Sequence, residues 1–306
     1  MSAQHGLESF APGAYPTVMT DWTIGIIGGS GLYAIDALED AQWIAVDTPW
    51  GAPSDELLVG RIAGVKLVFL PRHGRGHRLP PTQLNVRANI DALKRAGCTD
   101  LLAISAVGSL SEELAPGRFV VVDQYLDRTV ARESSFFGPG LVAHVSMADP
   151  VCPRLSALAA DAAQAAGADV ARKGCYVAIE GPQFSTRAES RAYRAWGGDV
   201  IGMTGLPEAK LAREAELPYS SVCMVTDYDC WREDCDAVDV AQILARLDAN
   251  AATARRLVVA LATRLPKTRA PSPIDTNLDD AIVTAPNARD PAMLARLDAI
   301  LRRPPA

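Results

Sequence analysis

Residues 219–231, Tyr219-Ser220-Ser221-Val222-Cys223-Met224-Val225-Thr226-Asp227-Tyr228-Asp229-Cys230-Trp231, form an apolar, β-prone run that stops abruptly at two carboxylates. A short run of this kind reads as a buried strand of an α/β sheet. In a strand, Asp227 and Asp229 point to the same face, roughly 7 Å apart along the chain. Ligands of open parallel sheets bind beyond the carboxyl ends of the strands, so the pair is a candidate active site. A single Asp there would read as an Asx-type turn that only ends the strand. Two acids beside two aromatics read as functional.

Composition narrows the class. The 306 residues are 49% hydrophobic and 22% charged, as expected of a globular chain long enough to bury a substantial core. A net charge of −6 argues against nucleic acid or an anionic membrane as partner. No apolar run approaches the ~20 residues of a membrane helix, and no secretory pattern opens the chain. The six cysteines form no CxxC, and Cys230 and Cys235 have no nearby histidine for zinc. They read as reduced thiols of a cytoplasmic protein without a metal site.

Along the chain, residues 1–21 read as a tail. The run Trp22 to Ile27 breaks into Gly28-Gly29-Ser30-Gly31, a glycine turn whose N–H groups suit phosphate. Gly29 to Ala34 also fits the G-x-G-x-x-A dinucleotide fingerprint, with Asp47 as the ribose acid. Tyr33 to Gln42 is barely long enough for a crossover helix. The next β-like runs (Trp43 to Asp47, Leu57 to Arg61, Val65 to Leu70) look like a meander, which disfavours a dinucleotide fold. The third ends in Pro71-Arg72-His73-Gly74-Arg75-Gly76-His77, whose cations and imidazoles suit a small anion. Helices are expected at Gln83 to Ala96, Pro153 to Ala166, Leu206 to Glu216 and Asp239 to Leu265. Buried strands are expected at Leu101 to Val107, Phe119 to Val122, Tyr176 to Ile179 and Asp199 to Thr204. Residues 22–265 therefore form one α/β domain with a mixed central sheet flanked by helices. Residues 266–306 read as a Pro-rich linker and a terminal helix packing on its own or a neighbouring subunit.

Strands ending at Ser30, Arg72-His73, Ser105-Ala106, Glu180, Met203-Thr204 and Asp227–Asp229 would place an anion cradle opposite a carboxylate pair. That layout suits a bound oxyanion attacking an oxocarbenium-like sugar while an acid protonates the leaving group, as in phosphorolysis of a nucleoside. The motifs Gly25-Ile-Ile-Gly-Gly-Ser-Gly31, Arg72-His73-Gly74-Arg75, Ala106 to Leu110, Glu180-Gly-Pro-Gln-Phe-Ser-Thr-Arg-Ala-Glu189, Gly202-Met-Thr-Gly-Leu-Pro-Glu208 and Thr226 to Trp231 occur together in this order. Together they resemble the S-methyl-5'-thioadenosine phosphorylases, within the trimeric purine nucleoside phosphorylase class, over about residues 22 to 262.

The resemblance implies phosphate binding by Ser30, Arg72, His73, Ser105, Ala106 and Thr204. It implies substrate binding by Phe184, Ile201 and Met203, with Asp227 at purine N7 and Asp229 at the exocyclic amino group. Val240, Ile243 and Leu244 would hold the methylthio group, although by spacing alone they read as ordinary core. His77 would line the 5' side, and His144 would close it from a neighbouring subunit. No cofactor is implied, inorganic phosphate being the co-substrate, and the assembly would be a homotrimer with active sites near its interfaces.

Departures from the pattern leave the substrate open. Serine stands at 30 and 105 where many relatives have threonine, and Gly202 replaces the asparagine of animal relatives. The Gly202–Glu208 run also resembles relatives that act on methylthioinosine, although Asp229 tips the choice to a 6-amino purine. The alternatives are a purine nucleoside or methylthioinosine phosphorylase, a histidine phosphatase built on Arg72-His73-Gly74, and a non-catalytic nucleotide-binding module built on Gly29-Ser30-Gly31.

Overall fold

The computed structural model describes residues 21–29, 31–232 and 240–303, and for residues 240–249 the helical backbone without the side chains. Residues 1–20 of the expected tail and Ser30 lie outside the described residues. The strands are β1 (Thr23–Gly28), β2 (Glu39–Ile44), β3 (Leu57–Ile62), β4 (Val65–Pro71), β5 (Asp100–Ser109), β6 (Phe119–Val122), β7 (Gln124–Arg128), β8 (Val170–Ala171), β9 (Cys175–Ile179), β10 (Val200–Gly202) and β11 (Tyr219–Asp227). The helices are α1 (Val86–Arg95), α2 (Pro153–Ala165), α3 (Arg187–Ala195), α4 (Gly205–Glu214), α5 (Val240–Arg264) and α6 (Pro291–Arg296).

All eleven described strands join one mixed sheet. The meander is present: β2, β3 and β4 pair antiparallel in sequence. Ala63 and Gly64, both at positive φ, make its tight turn, the conformation that matches strand twist in two-residue hairpins. β4 then runs parallel to β1. Two expectations shift here. No helix forms between Tyr33 and Gln42, where the chain makes turns before β2 begins, and β2 starts at Glu39 rather than Trp43. Its first four residues are exposed, so this edge strand lacks the apolar signal that would mark it.

β11 is buried on both faces, which accounts for its continuous apolar reading. Cys223 and Val225 join the core formed with α1 and α4, while Val222 and Met224 join the core formed with α2 and α5. The alanines of α2 (Ala159, Ala160, Ala162, Ala163) let α5 pack closely in the second core. α1 ends where expected, at Gly97 with φ +85, whose N–H caps the Lys94 carbonyl.

β5 organises the sheet. One edge pairs with β11 from Leu101 to Gly108. The other edge pairs with β1 through Asp100–Ala103 and with β10 through Gly108 and Ser109. Ile104 to Val107 therefore have no strand on that second edge, and the sheet opens there.

At the opposite end of β5, Asp100 is fully buried and receives Arg269 Nε at 2.5 Å and the Arg154 guanidinium. Arg269 also grips Asp275, so residues 266–277 are held against the sheet, and Leu297 and Ile300 reach the first core. Removing one partner of a buried charge cluster costs about 3–5 kcal/mol. Asp100→Ala leaves Arg154 without its carboxylate and Arg269 with Asp275 alone, and urea unfolding is expected to show a loss of that order.

Candidate active site

The gap in β5 is where the sequence-predicted anion residues gather. Gly28 is in register with Pro71 and Ile27 with Ala103, so Gly29, Arg72 and Ser105 stand at about the same level. Arg72 N donates to the Gly28 carbonyl at 2.8 Å. Its buried guanidinium turns into the open edge: Nη1 donates to Ile104 O at 2.9 Å and Nη2 to Ile27 O at 3.2 Å. Nε and Nη2 grip the Glu208 carboxylate at 2.9 and 3.1 Å. These four bonds leave one Nη1 hydrogen, of the five that a guanidinium carries, without an acceptor among the described residues.

Across the gap, Ser105 Oγ lies 3.4 Å from Thr204 Oγ1. Thr204 precedes α4 and makes no side-chain cap, so its hydroxyl is not committed to the helix. The backbone is held instead by Tyr176, whose phenol oxygen accepts from Thr204 N at 3.3 Å and Gly205 N at 3.4 Å. Gly202 is required for this: a Cβ there would sit 2.2 Å from the same phenol oxygen.

The acids meet the gap at Gly108, in register with Asp227 across a bulge in β11. A Cβ on Gly108 would lie 3.1 Å from Asp227 Oδ1, 3.1 Å from Ile201 Cγ2 and 3.3 Å from Asp229 Cβ. The expectation that both acids share one strand face is corrected. β11 ends at Asp227, and Asp229 adopts φ +53. Its N–H donates to Asp227 Oδ1 at 2.8 Å, which is an Asx turn. Asp227 Oδ2 lies 2.7 Å from the Thr226 hydroxyl. The turn thus serves the site: it folds the second acid back over Gly108. Burial, with Asp227 adding to it, raises the Asp229 carboxyl above the usual range.

The remaining predicted residues divide. His73 and His77 stack with centroids 4.2 Å apart and planes at 6°, and burial takes His73 down to about 4. Met203 is fixed through its carbonyl, which accepts from Arg132 Nη1 at 2.5 Å. Phe184 is 50% exposed. His144 is exposed on a bridge to residues 281–282, its N–H donating to Ala281 O at 2.9 Å. Ala106 lies on the open edge of β5. Ser30 and the side chains of Val240, Ile243 and Leu244 lie outside the described residues, although the α5 backbone is helical from Val240.

Comparison with known proteins gives the family. The Phosphorylase superfamily matches residues 23–263. The S-methyl-5'-thioadenosine phosphorylase of Cereibacter sphaeroides is 59% identical over 282 residues, 92% of this chain and 97% of that protein. This chain belongs to the S-methyl-5'-thioadenosine phosphorylase family. A crystal structure of a methylthioadenosine phosphorylase from an Antarctic soil metagenomic library is 44% identical, with a TM-score of 0.85 over 92% of this chain and 99% of that one. A variant of the adenosine/methylthioadenosine phosphorylase of Schistosoma mansoni, solved with methylthioadenosine, is 39% identical, with a TM-score of 0.74 over 79% of this chain and 91% of that one. The expected α/β fold and phosphorylase-type enzyme hold, and the histidine phosphatase and dinucleotide-binding readings fall away.

The structure gives three residues long-range partners that the sequence leaves unassigned. Glu208 pairs with Arg72 and accepts from the Tyr219 hydroxyl at 2.8 Å. Arg132 directs five bonds to Ile179 O, Glu180 O, Glu180 Oε1, Met203 O and Leu206 O. Glu180 returns the contact by accepting from Val130 N at 2.6 Å. In sequence, Glu208 only closes the Gly202–Glu208 motif, and nothing marks Arg132. Only a distant partner reveals either.

The raised carboxyl of Asp229 has a stability consequence. The folded state disfavours its ionised form, so it lowers stability as pH rises above the unfolded carboxyl range and has no such effect below it. Asn also tolerates φ +53 well. Asp229→Asn is therefore expected to raise the melting temperature at pH 7, with the gap shrinking as pH falls to about 3; calorimetric scans across pH check this.

Proposed function

We propose that this chain catalyses phosphorolysis of S-methyl-5'-thioadenosine to adenine and S-methyl-5-thio-α-D-ribose 1-phosphate, in purine and methionine salvage. One observation carries the reading. The Arg72, Ser105 and Thr204 groups converge on the unpaired edge of β5, and three residues farther along Gly108 lies against Asp227 and Asp229. In this reading nucleophile and leaving group take opposite ends of one cleft. The relatives' names and the methylthioadenosine bound in the Schistosoma variant support the choice of nucleoside.

In this reading, phosphate is held by the remaining Nη1 hydrogen of Arg72, by His73 and by the Ser30, Ser105 and Thr204 hydroxyls, with Ala106 contributing backbone. A phosphate oxygen attacks C1', the bond to N9 breaks, and the purine leaves with a proton delivered to N7 at Asp227, balanced by the proton that the hydrogen phosphate gives up to solvent as the sugar phosphate forms. Asp227 faces N7, and its geometry is fixed by the Asx turn and Thr226. Asp229 accepts from the 6-amino group. Met203 and Ile201 line the ribose, Phe184 the purine, His77 the 5' side, and Val240, Ile243 and Leu244 the methylthio group. No cofactor takes part. A 6-oxo purine nucleoside, methylthioinosine included, is the rival substrate, and its O6 offers an acceptor where the Asp229 carboxylate favours a donor.

We further place the enzyme in the cytoplasm as a homotrimer. Five described cysteines are free, and no described helix is long and apolar enough to cross a membrane. Val130, Phe184 and Trp196 are 84%, 50% and 54% exposed. Such apolar exposure suits a subunit contact, and by the family resemblance His144 would reach a neighbour's site.

Adenine release from methylthioadenosine is expected to require phosphate, and equal release without it would make the enzyme a hydrolase. Asp229→Asn is expected to narrow the kcat/KM gap between 6-amino and 6-oxo substrates by about tenfold, the scale of one charge-assisted hydrogen bond. A panel of methylthioadenosine, methylthioinosine, adenosine and inosine reads both outcomes.

A further inference from the structure

Charge counting at the anion cradle leads further. Arg72 is its guanidinium, and Glu208 cancels that charge from 2.9 Å, the two side chains being 3% and 4% exposed. His73 is next in sequence. Its Nδ1 lies 2.9 Å from Leu79 O, an atom that can only accept, so Nδ1 carries the hydrogen and Nε2 is the one ring position left for a second proton. One face of the ring is covered by His77. Burial, together with Arg72 and His77, depresses its pKa to about 4 despite the Leu79 carbonyl, so the imidazole is neutral near pH 7.

The other charges around it are already matched. Arg75 pairs with Asp55 and Glu56, and Arg78 with Asp55, all from the turn itself or the segment before β3. Ser105 and Thr204 contribute hydroxyls only. On its own the cradle therefore carries no net formal charge, a poor match for a dianion in a buried setting.

We propose that the cradle binds its tetrahedral dianion together with one proton, taken from solvent onto Nε2 of His73. The inference rests on the reading that Arg72, His73, Ser105 and Thr204 hold phosphate. The imidazolium then donates through Nε2 to an anion oxygen, and the charge mismatch is removed. When the sugar phosphate leaves, the proton returns to solvent, so turnover consumes none. The sign follows from linkage. The bound anion raises the His73 pKa above its value in the free site, so binding is tighter at low pH. Between the free and bound values it weakens about tenfold per pH unit.

Sulfate is the probe, because it remains a dianion near neutrality and any pH dependence must come from the protein. Its competitive inhibition constant against phosphate is measured from about pH 6 to about pH 8 in the parent enzyme, His73→Gln and His77→Gln. The expected result is about tenfold weakening per pH unit in the parent and in His77→Gln, and a flat profile in His73→Gln. A flat parent profile, a slope kept by His73→Gln, or a slope lost only in His77→Gln overturns the proposal. Calorimetric titration of the parent with sulfate in two buffers of different ionisation enthalpy gives a second readout that needs no variant. It is expected to find close to one proton taken up per anion, and zero uptake overturns the proposal. Failure of the underlying phosphate-site reading looks different: sulfate would not compete with phosphate at any pH.

Discussion

The buried pair of Arg72 and Glu208 joins three parts of the molecule that are remote in sequence. Arg72 leaves the end of β4, reaches the carbonyls of Ile27 and Ile104 in the gap between β1 and β5, and closes on the first turn of α4. Tyr219, at the start of β11, completes the set through Glu208. Such a pair is weak evidence for stability, because desolvation offsets most of its Coulomb energy. What it supplies is direction. With four of its N–H groups fixed, the guanidinium can offer only one more hydrogen, toward the opening beside Ser105.

Around this centre the site is held by backbone carbonyls and amides. Arg132 binds the ends of β9 and β10 and the start of α4 with a single planar group whose donors are fixed relative to one another. Tyr176 holds the peptide of Thr204 from below, in the space that Gly202 leaves free. The loops that carry the residues proposed to face substrate therefore rest on buried side chains, which suits a reaction that depends on aligning two reactants.

Much of this was legible in the chain. The apolar run into Asp227, the meander, the close of α1 at Gly97 and the strand ends rich in small polar residues follow from side-chain periodicity and turn chemistry. The first half of β2 was not legible, because a half-exposed edge strand needs no apolar pattern. The placement of Asp229 was also missed: alternation assumes that the strand continues, whereas the Asp227 side chain captures the next available N–H and turns the backbone into the left-handed region. Glu208, Arg132 and Tyr176 escaped for a common reason. Each acts on atoms far away in sequence, and nothing in its own neighbourhood marks it.

By itself the sequence determined the α/β class, the family through its ordered motifs, and the chemical inventory of hydroxyls, cations and paired acids. These depend on local periodicity and on residue identity, which the chain carries directly. Only the tertiary structure decided that β1 and β10 share one edge of β5 and leave Ile104 to Val107 open, that Glu208 neutralises Arg72, and that the Leu79 carbonyl fixes which nitrogen of His73 stays free. Hydrogen-bond direction and charge balance are properties of groups brought together by folding, and no local pattern encodes them.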